Sequence, residues 1–223
     1  PFVSKSIGIQ LAKVGALVMA GKKLKSLKIN REVVPKYFAV KEAVLPFSKF
    51  PEVDVLLGPE MKSTGEVMGI GNSFGEAYFK AQRAAGVILP KTGNVFISVR
   101  DKDKEPVCDV AKELIKIGFN LFATRGTQVY LEKNGIKCER INKVKQGHPH
   151  IVDMIKNGNV HLIINTTEGA LSIKDSFSIR KEANNHNVCL TTTISGAKAF
   201  CKAILFIDNF DALDIQSRHA SIN

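Results

Sequence analysis

Hydrophobic residues in the second half of the chain form short runs, separated by stretches in which apolar residues recur at helical spacing. The runs are typical of buried strands and predict strands at 95–99, 119–123, 136–141, 160–164 and 188–190. The stretches between and after them predict helices at 107–117, 127–133, 151–157, 175–185 and 197–207. Strands that alternate with helices form right-handed βαβ units and a parallel sheet with helices on both faces. We therefore predict an α/β fold, in which residues 94–223 form a three-layer α/β/α sandwich around a five-stranded parallel sheet.

The first 93 residues follow a different pattern. Residues 7–20 are apolar around most of the helical circumference, which predicts a helix buried on several sides. Strands are predicted at 37–45 and 66–70, and Ser73-Phe74-Gly75-Glu76 is a capping box that starts another helix. These elements are too few to enclose the apolar helix. Residues 1–93 are therefore expected to be an incomplete α+β domain, the end of one that begins in an upstream part of a longer protein.

The two regions are expected to meet at 89–93, where Pro90 and Gly93 interrupt both patterns.

The four cysteines show no C-x-x-C spacing, which favours buried thiols in a reducing compartment over a disulfide framework or a metal site. No apolar run approaches the roughly 18 residues of a membrane-spanning helix, and no export signal is recognisable. We expect a cytoplasmic protein that does not enter a membrane.

The charge changes this picture only slightly. The 223 residues include 32 Lys and Arg against 21 Asp and Glu, a formal net charge of +11. The densest lysine run, at 22–28, contains no aromatic residue on which a base would stack. A solvated face, or a contact with an acidic partner, is therefore favoured over a nucleic-acid groove. A basic nucleic-acid-binding module remains an alternative that rests on the charge alone.

Polar residues follow four of the predicted strands, and the carboxyl ends of parallel strands are where ligands bind in open sheets. Hydroxyl groups and a glycine at a helix N-terminus supply donors to an anion, lysines add positive charge, and an asparagine amide suits a ribose or a base. The residues concerned are Ser98, Arg100, Lys104, Thr124, Arg125, Gly126, Thr127, Asn142, Lys143, Lys145, Asn165, Thr166 and Thr167. We predict a rim that holds a phosphorylated small molecule without catalytic residues. The alternative is that the threonines are plain helix caps and the lysines are solvated.

Three other motifs are given structural interpretations. The glycines of 69–75 have the spacing G-x-G-x-x-x-G, which differs from the dinucleotide fingerprint and predicts a tight turn. His148-Pro149-His150 lacks the i, i+4 spacing of a helical metal pair and is interpreted as a loop. Asp208, Asp211 and Asp214 are interpreted as a solvated face rather than a calcium site.

With these motifs located, the sequence resembles the C-terminal part of carbamoyl-phosphate synthetase large subunits. The first half resembles the tail of that family's second ATP-grasp half, and the specific motifs are Pro1-Phe2-Val3-Ser4-Lys5, 40–47 and 57–69. The second half resembles its methylglyoxal-synthase-like regulatory domain, and the motifs are 98–100, 123–127, 142–144, 147–150 and 163–167.

The resemblance implies that the regulatory domain binds a nucleotide monophosphate as an allosteric effector. The residues implied for the phosphate are Ser98, Lys104, Thr124, Thr127 and Lys143, and those for the ribose or base are Asn165 and Thr167. For an ornithine-type effector, the matching positions are Glu42, Leu45, Leu57 and Thr192.

For the complete enzyme, the resemblance implies a ligase that makes carbamoyl phosphate from bicarbonate, glutamine-derived ammonia and two ATP, for pyrimidine and arginine biosynthesis. It implies a glutaminase small subunit as partner, the N-terminal part of the large subunit, and Mg²⁺ or Mn²⁺, with K⁺ as a further cation. The E-x-N-x-R element that holds ATP would precede Pro1, so the 223-residue chain alone is expected to bind no cofactor and to be inactive.

The remaining enzymatic alternative is a methylglyoxal synthase-type lyase. It would need an aspartate base near the rim, where the sequence offers Glu168 and then Asp175.

Overall fold

The computed structural model describes residues 1–45 and 65–220. Its first region contains three helices and a two-stranded antiparallel sheet. In chain order the elements are α1 (Phe2–Ile7), α2 (Leu11–Met19), a 3₁₀ turn (Leu24–Leu27), β1 (Phe38–Val44), β2 (Gly65–Gly71) and α3 (Phe74–Ala84). Phe38 pairs with Gly71 at one end of this small sheet and Val44 with Gly65 at the other.

The second region contains the five-stranded parallel sheet that the sequence predicts. Its strands and helices are β3 (Gly93–Ser98), α4 (Lys104–Ile117), β4 (Phe119–Ala123), α5 (Arg125–Lys133), β5 (Glu139–Arg140), α6 (Ile151–Lys156), β6 (Leu162–Asn165), α7 (Ala170–Asp175), α8 (Phe177–Asn185), β7 (Cys189–Thr191), α9 (Ile194–Ile204) and α10 (Ile215–Ala220). The strand order is β5-β4-β3-β6-β7, and every pair is parallel.

Alternation along the central strands produces the three layers. Val95 and Ile97 of β3 face a core cluster formed with α4, α5 and α9, while Phe96 between them faces a second cluster formed with α6 and α8. In β6, Ile164 and Ile163 divide between the two faces in the same way. The α/β/α sandwich is thus confirmed.

The prediction of one continuous helix over residues 7–20 is wrong, and within the described part of the chain this segment is not buried. The segment 7–20 breaks at Gly8, which has a left-handed φ of 70°, and α2 begins only at Leu11. No residue of α2 is buried, and Met19 is 89% exposed. The reason is that α2 lies mainly against α1, a helix of six residues that offers too little surface to cover an apolar circumference.

Smaller differences concern the edges of the sheet domain. The strand predicted at 136–141 is reduced to the two residues of β5, which pair with Phe122 and Ala123 alone. The helix predicted at 175–185 is α8, which begins at Phe177, and α7, which the sequence did not predict, ends directly before it at Asp175. α5 and α9 begin at Arg125 and Ile194, earlier than predicted, because Thr124 and Thr193 occupy their N-cap positions.

Glycines allow α3 to lie close to its neighbours. A Cβ on Gly69 would lie 2.0 Å from the carbonyl oxygen of Ala77, and one on Gly75 would lie 2.6 Å from that of Lys202 in α9. The predicted capping box starts α3, with the Ser73 hydroxyl accepting a hydrogen bond from the Glu76 amide at 3.2 Å. The glycines of 69–75 therefore serve a tight strand-to-helix turn and close packing.

Helix α3 also connects the two regions. Tyr78 contacts Phe200 of α9 with ring centroids 5.9 Å apart, and Phe79 contacts Phe210 at 5.2 Å. The C-terminal segment returns to the first region, where His219 Nε2 lies 2.7 Å from the carbonyl oxygen of Lys5. Because Phe79 belongs to the core of the sheet domain, the two regions share a core, and the boundary at 93/94 stays a prediction.

Candidate anion-binding cleft

A cleft of about 660 Å³ lies at the carboxyl edge of the sheet. Parallel pairing places the ends of β3 and β6 side by side, with Ser98 opposite Asn165. The loops after these strands, the turn after β5 and the α7–α8 corner form its walls. The lining residues are Ser98, Val99, Arg100, Asp101, Lys143, Val144, Gln146, Thr166, Glu168, Ser172, Asp175, Ser176 and Ile179.

Three hydroxyl groups cluster at the start of α5. The buried Thr124 donates a hydrogen bond to Ser98 Oγ at 3.3 Å and lies 3.5 Å from Thr127 Oγ1. The Thr127 hydroxyl accepts from the amide of Val99 at 3.3 Å. Thr124 occupies the N-cap position, but its side chain makes no capping hydrogen bond to the helix. Backbone N–H groups in the first turn of α5 are therefore left for an anion.

Lys104 brings a positive charge to the same helix end. A Cβ placed on Gly126 would lie 3.6 Å from Lys104 Nζ. The ammonium group is paired with the Asp101 carboxylate at 2.7 Å, which lowers the pKa of that exposed carboxyl group. The glycine leaves room for the lysine to reach the first turn of α5.

The remaining predicted residues lie at or just after the ends of β5 and β6. Lys143 is exposed and caps the 3₁₀ turn Val144–Gln146, with its amide donating to Gln146 Oε1 at 3.0 Å. Asn165 is 1% exposed; its amide donates to Ser176 Oγ at 3.4 Å, and its Oδ1 has no hydrogen-bond partner among the described residues. Ser98, Lys143 and Thr166 line the cleft, whereas the other residues predicted for the nucleotide lie beside it and do not, namely Lys104, Thr124, Thr127, Asn165 and the half-buried Thr167.

The other cations at the rim form ion pairs. Arg100 Nε lies 2.6 Å from Asp103 Oδ2 and Lys102 Nζ lies 2.6 Å from Glu168 Oε1. The hydrogen bond from Lys102 lowers the pKa of Glu168. A carboxylate with a lowered pKa is a weak base, so Glu168 is poorly suited to the proton abstraction that a lyase needs.

The residues expected for a second effector lie away from this cleft, around β1 and the start of α9. Glu42 of β1 is half-buried, and burial raises the pKa of its carboxyl group, although it accepts a hydrogen bond from Gln82 at 2.8 Å. Leu45 directly follows β1 and Thr192 lies between β7 and the N-cap of α9. Leu57 lies outside the described residues.

Sequence reasoning missed two features. It did not place Ser172 and Ser176 at the cleft, whereas Asp175, which it named only as a candidate base for the lyase alternative, does line the cleft. It also interpreted His148 and His150 as loop residues, whereas both contact Asp153. The signal for that cluster was the carboxylate three residues after His150, at the start of a helix.

Comparison with known proteins identifies the class to which the site belongs. A family model described as MGS-like domain matches residues 106–192, which include α5, β6 and most of the cleft. A solved methylglyoxal synthase from Elizabethkingia anophelis NUHP1 aligns with a TM-score of 0.41 and 18% identity, over 54% of this chain and 83% of that one.

Sequence relatives are similar along the whole chain. The carbamoyl phosphate synthase large chain of Pseudomonas putida is 55% identical over 222 residues, covering 100% of this chain, and that of Xanthomonas axonopodis pv. citri is 52% identical over the same span. The chain spans 21% of the length of each of these relatives, at their C-terminal end. The chain thus belongs to the carbamoyl phosphate synthase large-chain family and corresponds to its C-terminal regulatory region. In the described part of the chain, no helix is long and apolar enough to cross a membrane.

Proposed function

We propose that the cleft binds the phosphate group of a nucleoside monophosphate and that the chain is the effector-binding part of a carbamoyl phosphate synthase. The observation that carries this proposal is the uncapped first turn of α5, surrounded by the hydroxyls of Ser98, Thr124 and Thr127 and approached by Lys104. Three kinds of donor (backbone N–H, hydroxyl and ammonium) thus converge on one position, which suits a phosphate with three acceptor oxygens better than a single carboxylate.

Asn165 and Lys143 would supply further contacts to the nucleotide. The free Oδ1 of Asn165 is a buried acceptor, and a ribose hydroxyl is a donor that would satisfy it. Lys143 faces the same space from the turn after β5 and adds positive charge near the phosphate. The volume of about 660 Å³ lies within the roughly 300–1,000 Å³ of small-molecule pockets.

Calorimetric titration with uridylate and inosinate tests the proposal. We expect saturable binding of at least one nucleotide, with uridine and inorganic phosphate each binding more weakly because each offers half of the contacts. Lys143→Ala is expected to weaken binding about tenfold to a hundredfold, the effect of one charge-assisted contact. Lys198→Ala, on the exposed side of α9, is the matched control and is expected to bind as the parent does.

Two results would contradict the proposal. One is the absence of binding of every nucleotide at millimolar concentration. The other is uridine binding as tightly as uridylate, because the helix end and its hydroxyls would then make no contribution.

We also propose an amine-bearing effector such as ornithine at Glu42, with Leu45, Leu57 and Thr192 around it. A half-buried carboxyl group with a raised pKa gains most from a cationic partner, since an adjacent ammonium favours its ionised form. Binding should therefore release a proton, which calorimetry in two buffers of different ionisation enthalpy detects at about pH 5. Glu42→Gln should abolish binding and Glu132→Gln should not; equal binding by both variants would refute the assignment.

For the complete enzyme, we propose a ligase that forms carbamoyl phosphate from bicarbonate, glutamine-derived ammonia and two ATP. It would need the rest of the large chain, a glutaminase small subunit, and Mg²⁺ or Mn²⁺, with K⁺ as a further cation. The length argues for this division, because the chain spans only 21% of its relatives. We expect the 223 residues alone to form no carbamoyl phosphate. A ligand bound in either site would act on the ligase by binding its active and inactive arrangements unequally.

A further inference from the structure

A cluster of two imidazoles and one carboxylate lies next to the turn that carries Lys143. His148 Nδ1 is 2.7 Å and His150 Nδ1 is 3.1 Å from Asp153 Oδ2, and the two imidazole rings are 4.4 Å apart between centroids. One ligand atom from each residue lies within 4.8 Å of the others, and the described residues contain no second group of three such side chains. We propose that His148, His150 and Asp153 bind a divalent transition-metal ion of the zinc type.

The donor set and its spacing fit such an ion. Imidazole nitrogen and carboxylate oxygen are ligands that Zn²⁺ and Co²⁺ accept, and bonds of about 2.0–2.1 Å in a tetrahedron hold neighbouring ligand atoms about 3.3 Å apart. The two nitrogen–oxygen distances of 2.7 and 3.1 Å are therefore shorter than this by about 0.6 and 0.2 Å, so binding requires the exposed His148 side chain to move by about half an ångström. A water molecule would complete the fourth position.

Local structure holds two of the three ligands in place. His150 is the buried N-cap of α6, and its amide donates to the Asp153 carboxylate at 2.9 Å. The Asp153 amide donates to His150 Nδ1 at 3.3 Å, a long hydrogen bond that a metal would replace. The third ligand, His148, has a side chain that is 77% exposed, so an ion can enter from solvent.

A histidine–aspartate hydrogen bond without metal is the competing explanation for these contacts. The same protein offers a comparison at the C-terminal end of α8, where His186 lies 3.6 Å from the Glu182 carboxylate. Among the described residues, this pair has no third side chain that could complete a metal site. A single imidazole with one carboxylate binds divalent ions weakly. The cluster and this pair should therefore behave differently towards the same ion.

The test uses tag-free 223-residue protein titrated with CoCl₂ and ZnCl₂, followed by calorimetry and by the visible spectrum of Co²⁺. We expect one equivalent of Co²⁺ to bind with an affinity in about the micromolar range and to show the intense d–d absorption of four- or five-coordination. His148→Ala should weaken binding at least about tenfold, and Asp153→Asn, which keeps an acceptor for the His150 amide, should do the same. His186→Ala should leave the affinity and the spectrum unchanged.

Three results would overturn the proposal. They are the absence of saturable binding, an affinity that His148→Ala and Asp153→Asn do not change, and a sulfur-to-cobalt charge-transfer band. That band would assign the ion to one of the four buried cysteines instead. None of these results bears on the nucleotide cleft, because the three ligands are not among its lining residues.

Discussion

The two regions of this chain bury their apolar residues very differently. Val95, Leu114 and Ile163 of the sheet domain are fully buried, whereas α2, in which Leu, Val, Ala and Met predominate, has no buried residue. Apolar composition is therefore not enough to predict burial. A strand in the middle of a sheet has helices on both faces, whereas α2 has only α1 as a substantial neighbour among the described residues.

The largest expected effect comes from truncating a leucine in each region. Leu114→Ala on α4 should lower the free energy of unfolding by about 2–5 kcal/mol, because Leu114 is 0% exposed and its removal leaves a cavity. Leu11→Ala on α2 should cost less than about 1 kcal/mol, since that side chain is 38% exposed and loses little burial. Urea denaturation of both variants measures the difference, and equal losses would show that α2 is as well packed as the sheet domain.

A pair of glycines sharpens the same comparison. Gly75→Ala places a Cβ 2.6 Å from the Lys202 carbonyl oxygen, so α3 and α9 must move apart, at a cost of about 1–3 kcal/mol. Gly15→Ala on α2 meets nothing within 4 Å and should stabilise the protein by about 0.5–1 kcal/mol through helix propensity. Opposite signs in thermal unfolding are expected. A loss of stability in both variants would mean that the exposed surface around Gly15 is covered in solution.

The smallest effect concerns the pH dependence of stability at the junction of the regions. Burial raises the pKa of Glu42 above its ordinary 4.5. Folding then favours the protonated form of Glu42. The contribution of this carboxyl group to the free energy of unfolding is therefore greatest below pH 4.5 and falls as the pH rises through the raised pKa. Because the side chain is half exposed, we expect a change of only a few tenths of a kcal/mol.

Glu42→Gln isolates this contribution, since an amide oxygen still accepts the hydrogen bond from Gln82 and does not titrate. Denaturation of the variant between about pH 4 and pH 7 should show a smaller loss of stability with rising pH than the parent. A steeper loss would indicate that the carboxylate is stabilised by a cation in the folded state.

The residues of the candidate site also fall into two groups, those whose positions the sequence predicts and those whose positions it does not. The positions of Ser98, Thr124 and Asn165 were predictable because each lies at the end of a strand with a clear apolar run, and a parallel sheet brings such positions together. Ser172 and Ser176 were not predictable, because their position depends on the break between α7 and α8 at Ser176. The hydrogen bond from Arg180 to the Ile173 carbonyl at 2.9 Å holds that corner, and the spacing of apolar residues along the sequence gives no sign of it.

The sequence by itself determined the βαβ order, the buried strands and the helix that begins after Thr124, since apolar periodicity and N-cap residues are local properties. The tertiary structure decided what is non-local. It left α2 exposed, placed α3 against α9 through Gly75, and brought His148 to Asp153. The physical reason is that burial and side-chain contacts depend on which two elements pack together in space. The apolar pattern of an element describes its own surface and does not say which other element packs against it.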